Sequence, residues 1–294
     1  MQTKNQIQQL LQEAGLQPNK RFGQHFLIDL NLMRMLLEHA DPGPEDVVLE
    51  VGTGTGSLTK ALADRAGFVV GVEVDSQLAA ITRQTISHKA NVHLVSGDIL
   101  AGKHRLNEQV SQAIEQARQI YKGRLLLVAN LPYSAGSAVI VNLVVGPIVA
   151  DAMTVTVQKE VADRLLAEPG TSSYGMLSIL FDLTGQVDLI RPLPPSVFWP
   201  RPNVDSAIVH FVRDPEKAAR ILDMATLTHT IDLFMGHRRK MLKAIAKSRS
   251  ARFLSIDQWL ILFNRYRIDP TARPQDLLPE HYLELANSLA RGEV

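Results

Sequence analysis

Two regularities of this sequence predict an α/β fold with a mostly parallel sheet, followed by a small helical domain. Four apolar runs recur through the first half of the chain, at 46–52, 68–74, 92–98 and 124–130. Helix-like stretches separate these runs, near 56–66, 77–87 and 103–122. Alternation of helices with almost continuously apolar strands is typical of a parallel sheet with helices on both faces.

The second half of the chain changes character twice. We expect a fifth strand at 153–158, then helices near 159–168 and 174–183. The apolar runs 185–190 and 206–212 flank a proline-rich loop without an intervening helix, which predicts an antiparallel pair at one edge of the sheet. Beyond residue 213 the pattern is helical, so the predicted domains are 1–213 and 214–294.

Composition excludes several classes of protein. The 294 residues include no cysteine, which excludes disulfides, thiolate metal sites and a cysteine nucleophile. No apolar segment reaches the roughly 18 residues needed to span a bilayer. The N-terminal MQTKNQIQQLLQEAG is polar and unlike a secretory signal. We therefore expect a cytoplasmic protein, without a metal site.

Charge is informative only locally. The net charge of +1 argues neither for nor against a nucleic-acid partner. Between Asp232 and Asp257, however, the chain carries no acid and seven basic residues: Arg238, Arg239, Lys240, Lys243, Lys247, Arg249 and Arg252. A basic face of this kind suits phosphate contacts, although many such runs are simply solvated helix faces.

A glycine-rich turn follows the first apolar run, in LEVGTGTGSLT (49–59). Gly52, Gly54 and Gly56 would let a ligand approach the backbone at the start of a helix. NAD, FAD and S-adenosylmethionine (SAM) sites all use such a turn. Ser57 stands where the dinucleotide fingerprint has its third glycine, and Glu50 suits a cationic ligand better than a pyrophosphate.

Acidic residues end the next two strands. Glu73 comes 21 residues after Gly52, where a carboxylate can accept hydrogen bonds from both hydroxyls of a ribose. Asp98 could accept a hydrogen bond from an adenine amine, with Ile99 packing against the ring. Because the carboxyl ends of parallel strands share one edge, these residues predict a single nucleoside-binding edge.

The fourth strand ends in Asn130-Leu131-Pro132-Tyr133. The exocyclic amine of a base is a poor nucleophile, because its lone pair is delocalised into the ring. The Asn130 side-chain oxygen and the Leu131 carbonyl could accept its two N–H bonds and aim the lone pair at a methyl donor. Pro132 would set the turn, and Tyr133 could stack on the base. The alternative is a proline turn with Asn130 capping the next helix.

With these motifs in place, the chain resembles the ribosomal RNA small-subunit adenine N6-dimethyltransferases. The resemblance begins at KRFGQHFL (20–27), which is similar to the family's K-x-F-G-Q-N-F-L. It includes the glycine turn, GVEVD, SGD and NLPY described above. It continues through QKEV (158–161), SYG (173–175), PPSVFWPRPNVDSAIV (194–209) and HRRKMLKAI (237–245).

The resemblance implies a Rossmann-like SAM-dependent methyltransferase sheet with a helical, rRNA-binding C-terminal domain. It implies dimethylation of N6 on adjacent adenines in a hairpin loop of 16S rRNA, on a pre-30S particle late in assembly. The implied SAM contacts are position 25, Leu27, Gly52, Gly54, Glu73, Asp98, Ile99 and Asn130. The implied RNA contacts are Asn130, Leu131, Tyr133, Phe198 and the basic segment with Arg238, Arg239, Lys240 and Lys243. We expect a monomer.

Two features depart from the family pattern. His25 stands where the family usually has Asn, and a cation there would oppose a sulfonium, so we expect a neutral or averted ring. The helical stretch 101–123 is longer than expected between SGD and NLPY, and would lie on the outer face of the sheet.

Three other functions stay open on the sequence alone. The large-subunit rRNA adenine N6-methylases of macrolide resistance share the catalytic motif. A non-catalytic ribosome-assembly factor could keep the fold without the chemistry. An NAD-dependent oxidoreductase is disfavoured, since no hydride-transfer acid or base is evident.

Overall fold

The computed structural model describes residues 1–19, 22–102, 105–248 and 254–293. The chain divides into two compact units, Met1–Ala162 with Asp188–Val212, and Asp163–Val187 with Arg213–Val294. This division differs from the predicted domains 1–213 and 214–294 at the boundary residue 213 and in one segment, 163–187. That segment belongs with the C-terminal unit because its helix has an apolar surface that packs against C-terminal helices.

The strands are β1 Phe26–Leu27, β2 Val47–Val51, β3 Phe68–Glu73, β4 Val92–Ser96, β5 Leu100–Gly102, β6 Arg105–Leu106, β7 Leu125–Asn130, β8 Ala152–Gln158, β9 Gly185–Leu193, β10 Phe198–Trp199 and β11 Ser206–Arg213. The helices are α1 Lys4–Glu13, α2 Leu30–Ala40, α3 Ser57–Ala63, α4 Ser76–Thr85, α5 Glu108–Ile120, α6 Gly136–Val145, α7 Lys159–Leu165, α8 Met176–Thr184, α9 Pro215–Ala219, α10 Met224–Met235, α11 Leu242–Ala246, α12 Ile256–Arg265 and α13 Pro279–Arg291.

The main sheet has seven strands in the order β4-β3-β2-β7-β8-β11-β9. Neighbouring pairs from β4 to β8 are parallel, and β11 runs antiparallel to β8. The predicted fold class is therefore confirmed, with the late strands at one edge. Successive strands extend in one direction from β2 and in the other from β7. This reversal of strand order opens a crevice at the carboxyl ends of β2 and β7, where ligands of such sheets bind.

Apolar side chains explain why the central strands pair in this way. Every residue of β2 is buried, as are the first five of β7. Helices α2, α3, α4 and α5 pack against these strands and their neighbours. Asn130 therefore stands at the end of β7, whereas β2 carries one buried acid, Glu50, within the strand.

The N-terminal helix α1 has no counterpart in the predicted elements. Thr3 caps it, and its side chain accepts a hydrogen bond from the Gln6 amide. Ile7 and Leu11 are buried in a cluster with Leu78 and Ile81 of α4. This packing is hard to predict from sequence, because the segment is polar overall and its buried residues are only Ile7 and Leu11.

The predicted helix 103–122 is shorter, and the segment before it is extended. β5 and β6 form a two-stranded antiparallel ribbon, and α5 begins only at Glu108. Asn107 lies between the ribbon and the helix and caps α5. Its side chain accepts a hydrogen bond from the Gln109 amide at 2.9 Å and donates one to the Asp98 carbonyl at 3.0 Å. The helix contacts β2, β3 and β4, with Val110, Ala113, Ile114 and Ala117 buried.

The second unit is helical apart from strand residues at its boundaries. Its aromatic core places the Phe234 ring edge-on to Trp259 at a centroid distance of 5.3 Å, and Phe263 beside Trp259 at 5.8 Å. The Tyr282 hydroxyl donates to the Pro274 carbonyl at 2.6 Å. Within the described ranges, no helix is long and apolar enough to cross a membrane.

Asp46 fixes the start of β2 to the start of β7. Its carboxylate accepts hydrogen bonds from the Gly43 amide at 2.9 Å, the Arg124 amide at 2.7 Å and the Arg124 guanidinium at 2.7 Å. Burial opposes ionisation, but the bonds from Arg124 and Gly43 outweigh it and lower the pKa of Asp46. The resulting stability is present above the ordinary value of 3.8 and is lost as the pH falls through the lower folded pKa.

Replacement of this carboxylate is expected to destabilise the protein mainly at neutral pH. Asp46→Asn should lower the free energy of unfolding by about 2 kcal/mol, the scale of a lost charged hydrogen bond. Thermal denaturation followed by circular dichroism at pH 7 and pH 3 would show a smaller difference at pH 3. Asp64→Asn, which removes an exposed ion pair to Lys89, is the control and should change little. An equal loss at both pH values would contradict the ionic role.

Candidate functional site

The glycine turn after β2 has a backbone that only glycine adopts without strain. Gly52, Gly54 and Gly56 have φ angles of +81°, +58° and +79°. A Cβ on Gly52 would lie 3.2 Å from Pro132 Cγ, and one on Gly54 would lie 3.1 Å from the Phe26 ring. The turn thus lies close between the residues of β1 and the turn after β7, and a side chain there would force its neighbours to move by a few tenths of an ångström.

Glu73, the last residue of β3, faces this turn. It is 4% exposed, and its two carboxylate oxygens accept hydrogen bonds from the Gly54 amide at 2.8 Å and the Asp75 amide at 3.1 Å. Burial raises the pKa of Glu73, although these two amide bonds oppose the shift. A carboxylate has about four lone-pair sites, so both oxygens keep capacity for further donors such as hydroxyls.

Asp98 and Ile99 follow β4 at the same edge. One oxygen of Asp98 accepts the Leu100 amide at 2.9 Å, and the side chain is exposed. Ile99 is only 4% exposed. The two neighbours therefore combine a polar acceptor with an apolar side chain.

A cavity of about 290 Å³ connects these strand ends with the turn after β7. Ten of the predicted site residues line it: His25, Gly52, Gly54, Glu73, Asp98, Ile99, Asn130, Leu131, Pro132 and Tyr133. Sequence reasoning missed one wall of this cavity, formed by residues 22–24 and Phe26. The only signal for that wall was the resemblance of segment 20–27 to a family motif. Lys20 and Arg21 of that motif lie outside the described residues.

Asn130 is oriented by two hydrogen bonds. Its Nδ2 donates to the His25 carbonyl at 2.7 Å, and its Oδ1 accepts from the Thr156 hydroxyl at 2.5 Å. Because a carbonyl can only accept, the first bond identifies which end of the amide is nitrogen. The helix-capping alternative does not apply, since the residue preceding α6 is Ala135.

The next three residues form a tight turn into α6. The Pro132 carbonyl accepts the amides of Ala135 and Gly136 at 3.1 and 2.9 Å. In the described part of the chain, no donor contacts the Leu131 carbonyl. The Tyr133 hydroxyl lies 2.6 Å from Ser206 Oγ, and burial raises the pKa of this phenol. The Tyr133 side chain is half-buried and lines the cavity.

His25 contacts the proline-rich loop. Its Nδ1 lies 2.7 Å from the Pro200 carbonyl, so this nitrogen carries the proton. The ring also sits beside Tyr133, with centroids 5.3 Å apart. His25 also lines the cavity.

Leu27 and Phe198 are not brought to the large cavity. They pair with each other across the β1–β10 ribbon and are 6% and 2% exposed. Both belong to a core cluster that includes Leu36 and Ile208. Alternation along the short strand turns Phe198 inward, while its neighbour Trp199 stacks on Phe26. The base contact that the resemblance implies for Phe198 therefore stays a prediction.

The predicted basic segment lies in the second unit, in the turn after α10 and in α11. Arg239, Lys240, Lys243 and Lys247 are exposed. Arg238 is half-buried and donates to the Gln275 side chain at 3.3 Å. Arg249 and Arg252 lie outside the described residues. The described part of the segment thus presents four exposed cations and one that is half-buried.

Glu50 in β2 is a second buried acid behind the glycine turn. It is 1% exposed, and its Oε2 has no hydrogen-bond partner among the described residues. It lines a smaller cavity of about 50 Å³ together with Leu27, Gly52 and Asn130. Burial, and then the nearby charge of Glu73, raises the pKa of Glu50 to about 8. No group of three or more possible metal ligands occurs in the described ranges.

A mostly parallel sheet with this strand order is that of a Rossmann-like methyltransferase. Its cavity lies where the strands end, and Glu73, Asp98 and the oriented Asn130 amide line it. Comparison with known families assigns the chain to one family of methyltransferases. The chain belongs to the ribosomal RNA adenine dimethylase family, whose model matches residues 15–291.

Individual relatives support this assignment. The chain is 32% identical over 288 residues to the ribosomal RNA small subunit methyltransferase A of Bacillus mycoides (strain KBAB4), covering 98% of this chain and 96% of that protein. The protein of the same name from Bacillus cereus (strain AH187) gives the same values, 32% identity over 98% and 96%.

Two solved structures share the fold. A dimethyladenosine transferase from Plasmodium falciparum has a TM-score of 0.75 at 22% identity, covering 92% of this chain and 99% of that chain. The 23S rRNA methyltransferase ErmE has a TM-score of 0.62 at 24% identity, covering 90% and 99%. At these identities the similarity demonstrates a common architecture.

The buried Glu50 is expected to make stability depend on pH. Its pKa rises from 4.5 in the unfolded chain to about 8, so the unfolded state loses this proton first. Stability should therefore fall as the pH rises from 4.5 to about 8. Glu50→Gln removes the titration and should melt above the wild type at pH 8, but not at pH 4.5.

Thermal denaturation across this pH range would measure the effect. Glu45→Gln, at an exposed position five residues earlier, is the control and should track the wild type. If Glu50→Gln ran parallel to the wild type at every pH, Glu50 would have to be ionised in the folded protein.

Proposed function

We propose that this protein transfers two methyl groups from SAM to N6 of each of two adjacent adenines in a 16S rRNA hairpin loop. The proposed substrate is a pre-30S particle late in assembly, and the enzyme acts as a cytoplasmic monomer. One observation carries the chemistry: the Asn130 amide oxygen, oriented by two hydrogen bonds, beside the uncontacted Leu131 carbonyl. Relatives named for small-subunit rRNA methylation, matched over 98% of the chain, support the choice of RNA.

The residues of the large cavity fit SAM. Its volume of about 290 Å³ is at the lower end of the ~300–1,000 Å³ usual for ligand pockets. The positive-φ turn at Gly52 and Gly54 exposes backbone that a side chain would cover. We propose that Glu73 accepts the ribose hydroxyls, and that Asp98 and Ile99 hold the adenine. His25 and the smaller cavity at Leu27 border the same site. When bound, the cofactor supplies a methyl group on a positively charged sulfur.

The proposed chemistry is mainly alignment. The Asn130 oxygen and the Leu131 carbonyl accept the two N–H bonds of the target amine, which turns its lone pair towards the methyl donor. The nitrogen lone pair would form the new bond to the methyl carbon as the carbon–sulfur bond breaks and its electron pair stays on sulfur, which leaves a neutral thioether. The amine then releases one proton to water. Pro132 fixes the carbonyl, and Tyr133 contacts the flat face of the base. After the first transfer one N–H remains, so one acceptor still orients the amine.

The target adenine must leave any base stack to reach these acceptors, which suits a single-stranded loop or base flipping. We propose that the exposed cations Arg239, Lys240 and Lys243, with Arg238, contact rRNA phosphates. Such contacts would make binding depend strongly on salt concentration.

The proposal is tested by methylating small-subunit particles from a strain that lacks the enzyme. Primer-extension stops would locate dimethyladenine in the small-subunit RNA. A parallel reaction uses naked large-subunit RNA. Methylation of that RNA in place of the small-subunit particle would indicate an activity of the macrolide-resistance type. Particle binding without methyl incorporation would instead indicate a non-catalytic assembly factor.

Loss of the Asn130 side chain should abolish most of the chemistry. We expect Asn130→Ala to lower the rate of tritium transfer from labelled SAM at least about 100-fold, the scale of losing one preorganised polar contact. SAM binding, measured by calorimetry, should weaken but stay detectable. Asn31→Ala, at the exposed start of α2, is the matched control and should keep full activity. Near-normal turnover of Asn130→Ala would exclude the proposed role.

Replacing His25 with the residue usual in the family should be tolerated. His25→Asn removes the ring but keeps the backbone carbonyl that Asn130 contacts, so SAM affinity should be unchanged or improved. Calorimetric titration measures this directly, with the exposed His88→Asn as control. A large loss of affinity would show that the imidazole itself binds the cofactor.

A further inference from the structure

The contacts of Asn130 extend to the neighbouring strand. Asn130 and Thr156 are register partners in the parallel pair of β7 and β8. The Thr156 side chain is fully buried, and its hydroxyl donates to the Asn130 Oδ1 at 2.5 Å. Thr156 does not line the large cavity, whereas Asn130 does.

The hydroxyl occupies one of the two acceptor sites on the Asn130 oxygen. The opposite end of the amide is held by the His25 carbonyl at 2.7 Å. A flipped amide would place its oxygen against that carbonyl oxygen, so the observed orientation is strongly favoured. Because both the nitrogen and the oxygen of the amide are held, the remaining lone pair of the oxygen has a defined direction.

We infer that Thr156 is a positioning residue for methyl transfer, which holds the Asn130 oxygen at the angle needed to accept the target N–H. This inference rests on the proposed function. Thr156 acts through Asn130 and contacts neither substrate nor cofactor. Its hydroxyl also leaves one free acceptor site on the Asn130 oxygen, and that site can accept one N–H of the target amine.

The second methyl transfer depends on this positioning more than the first. Unmethylated adenine offers two N–H bonds, so the Leu131 carbonyl can still orient an amine whose contact to Asn130 is loose. A monomethylated amine has one N–H and rotates more freely unless its acceptor is fixed. A loosened Asn130 should therefore let the intermediate accumulate, which simple destabilisation of the fold would not do.

The test compares variants that differ in the hydroxyl. Thr156→Val is nearly isosteric and lacks the donor, while Thr156→Ser keeps it. Thr154→Val is the matched control, because Thr154 lies two residues earlier on the same face of β8 and its hydroxyl contacts His210 Nδ1 at 2.9 Å. Each variant would be assayed on unmethylated small-subunit particles for kcat, KM and the ratio of monomethyl- to dimethyladenine by mass spectrometry.

For Thr156→Val we expect roughly a five- to tenfold fall in kcat, the scale of one lost hydrogen bond, with KM for the particle nearly unchanged. The monomethyl fraction should rise, and Thr156→Ser and Thr154→Val should give the wild-type product ratio. If Thr156→Val does not fold, Thr156→Ala against Thr156→Ser makes the same comparison.

The outcomes separate this inference from the proposed function. Wild-type protein that methylates no adenine would overturn both. Active wild type with an unchanged product ratio in the variant lacking the hydroxyl would overturn only the role of Thr156. A raised monomethyl fraction in Thr154→Val as well would assign the effect to strand β8 in general, and would also overturn it.

Discussion

The hydrogen bond from the Asn130 side chain to the His25 carbonyl joins the parts of the site. It attaches the segment before β1 to the end of β7, at the crevice where the strand order reverses. That attachment closes one wall of the cavity and sets the orientation of the amide in a single contact. The His25 ring in turn contacts the proline-rich loop at Pro200. Three stretches far apart in the sequence therefore meet around one side chain.

Much of this arrangement follows from local sequence pattern. Buried parallel strands are continuous apolar runs, and their ends bring Gly52, Glu73, Asp98 and Asn130 to one edge whatever the details of packing. The chemistry proposed for Asn130-Leu131-Pro132-Tyr133 could likewise be predicted, because a proline turn after a buried strand places neighbouring acceptors at that edge. Such features need only the order of the strands.

The remainder depends on contacts between distant residues. The wall at 22–26 arises because β1 pairs with β10, and no periodicity in a two-residue strand predicts its partner. The same pairing turns Phe198 into the core, whereas the resemblance implies that its ring stacks on the target base. Thr156 looked like an ordinary strand residue until its register opposite Asn130 was known. Near 101–123, Asn107 separates the β5–β6 ribbon from the helix α5. Helical spacing of apolar residues does not show where that helix begins.

The close approach of the glycine turn to its neighbours limits how this site can change during evolution. The missing side chain of Gly52 faces Pro132, and that of Gly54 faces Phe26. A side chain at either glycine would be strained by the positive φ whatever space its neighbours left, and it would also displace Pro132 or Phe26 by a few tenths of an ångström. A smaller neighbour would relieve the contact but not the backbone strain. The turn is thus expected to keep its glycines while the residues facing them vary, and a graft of the turn onto another scaffold would need neighbours that approach it as Pro132 and Phe26 do.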